Sequence, residues 1–149
     1  MIAQPSPAAP GRVVVGVDGS ASSVAALRWA ARVGGALGLA LHAVVSWEPT
    51  SSFAMIGGVD EWNPETDAAT ALDTALASAF GDEYPAGLQR LVRRGQAARV
   101  LLEASRDAEL LVVGSRGHGG FAGLLLGSVS TQCATHGTCP VVVVHAERR

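Results

Sequence analysis

The strongest constraint on this chain is a rhythm: short Val- and Leu-rich runs separated by Ala-rich segments of helical period. The runs are RVVVGV at 12–17, LALHAVV at 39–45, LLVV at 110–113 and VVVV at 141–144, and a shorter strand, LQRLVR at 88–93, completes the set. Continuous β-branched runs of this length read as strands covered on both faces. Between them lie four helical segments, at 22–35, 65–80, 96–105 and from 128 to about 135. Strand and helix alternate throughout, and that order predicts a single α/β domain: an open, five-stranded parallel sheet with helices on both faces. Composition agrees, because hydrophobic residues make up 48% and charged residues only 16%, against roughly 25% charged in an average domain. The expected domain is 12–149, preceded by a flexible tail at 1–11 rich in Pro and Ala.

Local signals set the expected boundaries. Asp18-Gly19 is a turn, and Ser20 or Ser22 caps the first helix. Gly34-Gly35 is expected to end it. The segment 46–63 carries Pro49, Gly57 and Gly58 and reads as a long loop. Pro64 suits a first helical position and Gly81 a stop. In the third helix Ala97, Val100, Leu101 and Ala104 are expected to face inward.

In sheets of this kind ligands bind beyond the carboxyl ends of the strands, where strand order reverses. Loops that leave such ends begin at Asp18, at Ser46 and at Gly114. The last is the most informative: GSRGHGGFAGLLLGSVS at 114–130. Its glycines fall as G-x2-G-x9-G, at Gly114, Gly117 and Gly127, and Ser128 follows directly. Glycine permits a left-handed backbone and lets a ligand approach closely. Successive amides in such a turn can form an anion nest, and Gly127-Ser128 opens a helix whose free N–H groups favour phosphate. The hydroxyls of Ser128 and Ser130 would add donors. The alternative is a glycine-rich crossover that serves packing, with Ser128 as an ordinary cap. All 11 basic residues are Arg, so any anion is held by Arg or by backbone amides. That excludes a Walker A lysine and Schiff-base chemistry. No GxGxxG follows the first strand, and no GxSxG elbow is present.

These features resemble the universal stress protein family over nearly the whole chain. The resemblance rests on VVVGVDGS at 13–20, ALRWA at 26–30, LHAV at 41–44, the G-x2-G-x9-G-[ST] motif from Gly114 to Ser128, and CPVVVV at 139–144. It implies a Rossmann-like sheet, of the adenine nucleotide alpha hydrolase-like kind, in strand order 3-2-1-4-5. It also implies the ATP-binding branch of the family, which carries the long motif. Gly16 and Asp18 would lie against the nucleoside, with Asp18 near the ribose or a phosphate-bound Mg2+. Ala43 would read the adenine edge with its backbone. Gly114, Ser115, Arg116 and Gly117, with His118, Gly119 and Gly120 beyond them, would pass beside ribose and phosphates. Gly127, Ser128, Val129 and Ser130 would clasp the phosphate tail. The family likeness further implies a homodimer with the strand at 141–144 near its interface. His-Gly-Thr at 136–138 departs from the family's more usual His-Ala-Pro.

Each of these residues also has a plainer reading. Asp18 is equally a turn residue, and Arg116 equally a solvated loop arginine. His118 has no second ligand at metal spacing and reads as a loop histidine. His42 and His145 adjoin strands and are expected at core or edge positions. Trp47 and Trp62 bracket the long loop; they could close over a base, but packing of the loop is the expected role. Cys133 and Cys139 form no CxxC pair and read as reduced, buried thiols of a cytoplasmic protein. The net charge of −2 points to neither nucleic acid nor an anionic membrane. The start of the chain lacks the basic and apolar regions of a secretory signal, and no apolar run nears the ~18 residues of a bilayer span. With no nucleophile–base pair in sight, the expected function is an ATP-binding, nucleotide-dependent regulatory module acting on an unknown protein partner. The alternatives are a slow ATPase or phosphoryl- or adenylyl-transferring enzyme, and a nucleotide-free dimeric interaction protein.

Overall fold

The computed structural model describes residues 11–49, 63–117 and 126–146. Its strands are β1 (Arg12–Gly16), β2 (Ala40–Trp47), β3 (Gln89–Arg94), β4 (Leu110–Gly114) and β5 (Val141–Val144). The helices between them are α1 (Ala21–Leu37), α2 (Pro64–Phe80), α3 (Ala97–Ala104) and α4 (Ser128–His136). The strands form one sheet in the order β3-β2-β1-β4-β5, and every pairing is parallel. The expected class, strand order and helical layers are therefore present.

Alternation along β1 divides the core in two, because successive side chains leave opposite faces of a strand. Val13 and Val15 pack with Leu27 of α1 and with Leu72 and Leu76 of α2. Val14 packs with Val100 and Leu101 of α3 and with Cys133 of α4. Each face of the sheet thus has its own helix pair. Burial pushes the Cys133 thiol up to about 11, so it stays protonated and inert at neutral pH. Burial, and then the charge of Arg12, hold His42 below the usual imidazole value.

Several expected boundaries move for clear reasons. α1 does not stop at Gly34-Gly35; it runs to Leu37 and ends on Gly38, which takes a left-handed φ of 68°. Gly34 is an interior contact instead. A Cβ there would come within 3.3 Å of the Leu39 carbonyl, so the glycine lets the helix pass close to the start of β2. In α3 the buried alanine is Ala98, while Ala97 and Ala104 are only half-buried. β2 extends through Ser46 and Trp47, which belong to the strand and not to the loop. Asn63 caps α2, accepting from the amides of Glu65 and Thr66, and Pro64 follows it. The outer strands are less buried than expected: all four residues of β5 are half-buried, and β3 is exposed at both ends.

Candidate functional site

The chain builds β1, β2 and β3 outward in one direction, then returns to lay β4 on the other side of β1. The loops leaving β1 and β4 therefore diverge, and a crevice opens between them at the carboxyl edge. It is a cleft of about 790 Å³ lined by residues from both loops, from the ends of β2 and β4, and from α2, α3 and α4.

The β1 side is built by a tight turn. Asp18 Oδ1 accepts from the Ser20 amide at 2.9 Å and from its hydroxyl at 2.5 Å. Gly19 supplies the φ of 83° that this turn requires. The Ser20 hydroxyl in turn accepts from the Ser23 amide at 3.2 Å and so caps α1. Asp18 is exposed, with its second carboxylate oxygen turned toward Gly117: a Cβ on Gly117 would stand 2.6 Å from Oδ2.

The β4 side is stitched to α1 and to itself. Ser22 Oγ donates to the Arg116 carbonyl at 2.6 Å and accepts from the Arg116 amide at 3.3 Å. The Ser115 carbonyl accepts from the Gly127 amide at 2.7 Å and from Ser130 Oγ at 3.3 Å. These two bonds tie the start of the glycine loop to its end. Gly127 then opens α4, and among the described residues no side chain caps it; the amides of Ser128, Val129 and Ser130 have no partner within the helix.

The structure brings Gly16, Asp18, Gly114, Arg116, Gly117, Gly127, Ser128, Val129 and Ser130 together around this cleft. Ala43 and Ser115 do not line it. Ala43 is fully buried in the middle of the sheet, and the cleft wall on β2 begins one residue later, at Val44. Ser115 is also buried and contributes its carbonyl to the loop closure. His118, Gly119 and Gly120 lie outside the described residues, as does Trp62.

The glycines of the motif do not use the left-handed freedom that glycine permits. Among the described residues positive φ occurs at Gly19, Gly38, Gly81, Gly87 and Gly95, and not at Gly114, Gly117 or Gly127. Gly114 is a packing position, since a Cβ there would meet the Ser22 carbonyl carbon and the Ser23 amide nitrogen at 2.8 Å. Gly16 is likewise closed by the Leu101 side chain, 2.6 Å from its Cβ position. Gly127 has no contact closer than 3.5 Å at its Cβ position. The Ser130 hydroxyl was expected to add a donor to the cleft; its one hydrogen instead has the carbonyls of Gly127 at 3.0 Å and Ser115 at 3.3 Å as acceptors.

Sequence reasoning named Trp47 at the edge of the loop but did not single out the other apolar walls: Val44 and Val45 of β2, Ala68 and Ala71 of α2, and Ala97 and Leu101 of α3. These are ordinary core residue types, and only the position of β2 beside β1 brings their edges to the site. Ser22 was legible as a possible cap, but its bonds to Arg116, 94 residues away, are tertiary.

A domain with this sheet order and a cleft at the β1–β4 switch point belongs to the broad class of open, doubly wound α/β folds. Within that class, this chain belongs to the universal stress protein family, whose sequence model matches residues 10–145. A universal stress protein of Mycolicibacterium smegmatis is 35% identical over 142 residues, which cover 91% of this chain and 48% of that protein. The chain spans about half the length of the curated relatives it matches. A universal stress protein solved in complex with cAMP is 28% identical, with a TM-score of 0.64, covering 92% of this chain and 98% of that one. Universal stress protein UspA from Lactobacillus plantarum superposes with a TM-score of 0.72 at 18% identity, over 91% of this chain and 99% of that one; at that identity it supports the fold alone.

Proposed function

We propose that this chain is a nucleotide-binding regulatory module that takes ATP with Mg2+, acts as a homodimer in the cytoplasm and signals its occupancy to a protein partner. The observation that carries this reading is the uncapped start of α4. Ser128, Val129 and Ser130, whose amides have no partner within the helix, line the same cleft as Asp18 and Gly117. Amides of this kind bind phosphate through hydrogen bonds and the helix dipole. A hydrogen bond to a charged group contributes roughly 1.5–3 kcal/mol, so a few of them hold a phosphate tail without lysine. Much of the cleft wall is apolar, with Val44, Val45, Trp47, Ala68 and Leu101 among its residues, as a nucleobase requires.

Mg2+ fits this site only when carried by the nucleotide. Among the described residues no group of three or more His, Cys, Asp or Glu side chains could hold a metal. Asp18 offers Oδ2, the carboxylate oxygen not bonded to Ser20, and Mg2+ is commonly held by one or two carboxylates together with phosphate oxygens. In this reading Asp18 orients the ion and the amides of α4 orient the phosphates. The bonds from Ser22 to Arg116 keep the loop in place while they do so. The dimer draws support from β5, an edge strand of four valines that needs cover.

Calorimetry with ATP, ADP, AMP and cAMP on the wild type, Gly117→Val and Gly127→Glu tests the reading. Wild type should bind at least one of these nucleotides, and both variants should bind it at least tenfold more weakly. Saturation at a hundredfold excess over Kd should add about 2.7 kcal/mol of stability. Equal affinity in all three proteins would end the proposal.

A further inference from the structure

Trp47 was expected to pack a loop, and the structure gives it a different setting. It is the last residue of β2, it is half-buried, and it forms part of the cleft wall. Among the described lining residues it is the only aromatic one. The guanidinium of Arg94, its register partner on β3, lies over the ring at 5.7 Å from the centroid. The Trp47 carbonyl accepts from the Gly95 amide at 2.8 Å. The ring also packs against the core beneath α1 and α2. An indole held by a cation, a backbone bond and a core contact is a fixed surface.

Its distance from the phosphate end is also informative. β2, β1 and β4 are neighbours in the sheet, and strands lie about 4.8 Å apart. The end of β2 is therefore about 10 Å from the end of β4 across the cleft. That separation is comparable to the reach of a nucleotide from its phosphates across the ribose to the base. Beside Trp47 the wall is made of small side chains, Val45, Ala68 and Ala71, which leave room for a flat group.

We infer that Trp47, with Arg94 against its ring, is the stacking platform for the base of the ligand, and that the site selects for a planar heterocycle by this contact. The inference rests on the nucleotide reading above and adds the residue that recognises the base. Aromatic stacking of a base changes affinity by roughly fivefold to a hundredfold on removal of the ring.

The test uses ATP with the full chain, as wild type, Trp47→Leu and Trp47→Phe. Trp47→Leu keeps apolar bulk and removes the ring; its ATP affinity by calorimetry should fall about tenfold or more. Trp47→Phe restores a ring and should recover most of that loss. Tryptophan fluorescence adds a readout of direct contact: ATP should quench the wild type, and most of that quenching should vanish in Trp47→Phe while calorimetry still detects binding. Unchanged affinity in Trp47→Leu, or unchanged quenching in Trp47→Phe, overturns the platform and leaves nucleotide binding standing. Equal losses in Trp47→Leu and Trp47→Phe, with lowered melting temperatures, assign the ring a structural role and also overturn it. Failure of the wild type to bind any of the four nucleotides removes both readings together.

Discussion

Two helix starts border the same cleft, and the chain treats them in opposite ways. At α1 the chain completes its own hydrogen bonds. Ser20 accepts from the Ser23 amide, and Asp18 accepts from the Ser20 amide and hydroxyl. At α4 it does not: Gly127 has no side chain to offer, and among the described residues no other side chain caps the helix. α2 sides with α1, since Asn63 caps it and Glu65 and Asp67 sit in its first turn. Capping by Ser, Asn or Asp contributes about 1 kcal/mol, so an uncapped start facing a cavity forgoes stability. The contrast teaches where an external acceptor belongs: at the helix whose donors the protein has left open.

The largest effect should come from testing which glycines serve the fold and which serve the opening. Gly114→Ala places a Cβ 2.8 Å from the α1 backbone at Ser22 and Ser23, atoms that cannot yield without moving the helix. It should cost about 3 kcal/mol in urea unfolding, the upper range for overpacking. Gly127→Ala, with a φ of −72° and 3.5 Å of room, should cost no more than about 1 kcal/mol, the difference between Gly and Ala at an N-cap. Comparable losses in the two variants would show that the motif's glycines form one packing unit. A middle effect is expected at the capped start. Ser20→Ala removes both the cap of α1 and one of the two donors on Asp18, and should lower stability by about 1 kcal/mol. No loss would mean that the α1 amide finds another acceptor, and the contrast between the two helices would weaken.

Much of this arrangement is legible in the sequence because its signals are local. Val13 to Val15 and Val141 to Val144 announce strands, and Pro64 and Gly81 mark the ends of α2. The glycine spacing and its resemblance to a family point to the loop at 114–130. What stayed hidden depends on distance in space. The end of α1 was misplaced because Gly34 answers to Leu39 packed beside it and not to helix propensity. Gly114, where the sequence left ligand approach and packing both open, is a steric gap for Ser22 and Ser23. Trp47 looked like loop packing because the extension of β2 past Val45 follows from pairing with Arg93 and Arg94, polar residues that carry no strong strand signal of their own.

The smallest effect is the most discriminating, because its two readouts move in opposite directions. Gly127→Asp gives α4 the cap it lacks. The backbone at 127 is extended, with φ −72° and ψ 169°, a geometry that a capping Asp adopts readily. The new carboxylate can accept from the amides of Val129 or Ser130 and sits at the positive end of the helix dipole. Stability should rise by about half a kcal/mol at pH 7. A capping carboxylate has its pKa depressed on folding, so this gain should be present above the unfolded value of about 4 and disappear as pH falls through the folded one. The same carboxylate occupies the place of a phosphate and repels it, so ATP affinity should fall below detection in the variant that is the more stable of the two. Raised stability with unchanged ATP affinity would show that the phosphates bind elsewhere, and lowered stability would show that the start of α4 is not short of acceptors.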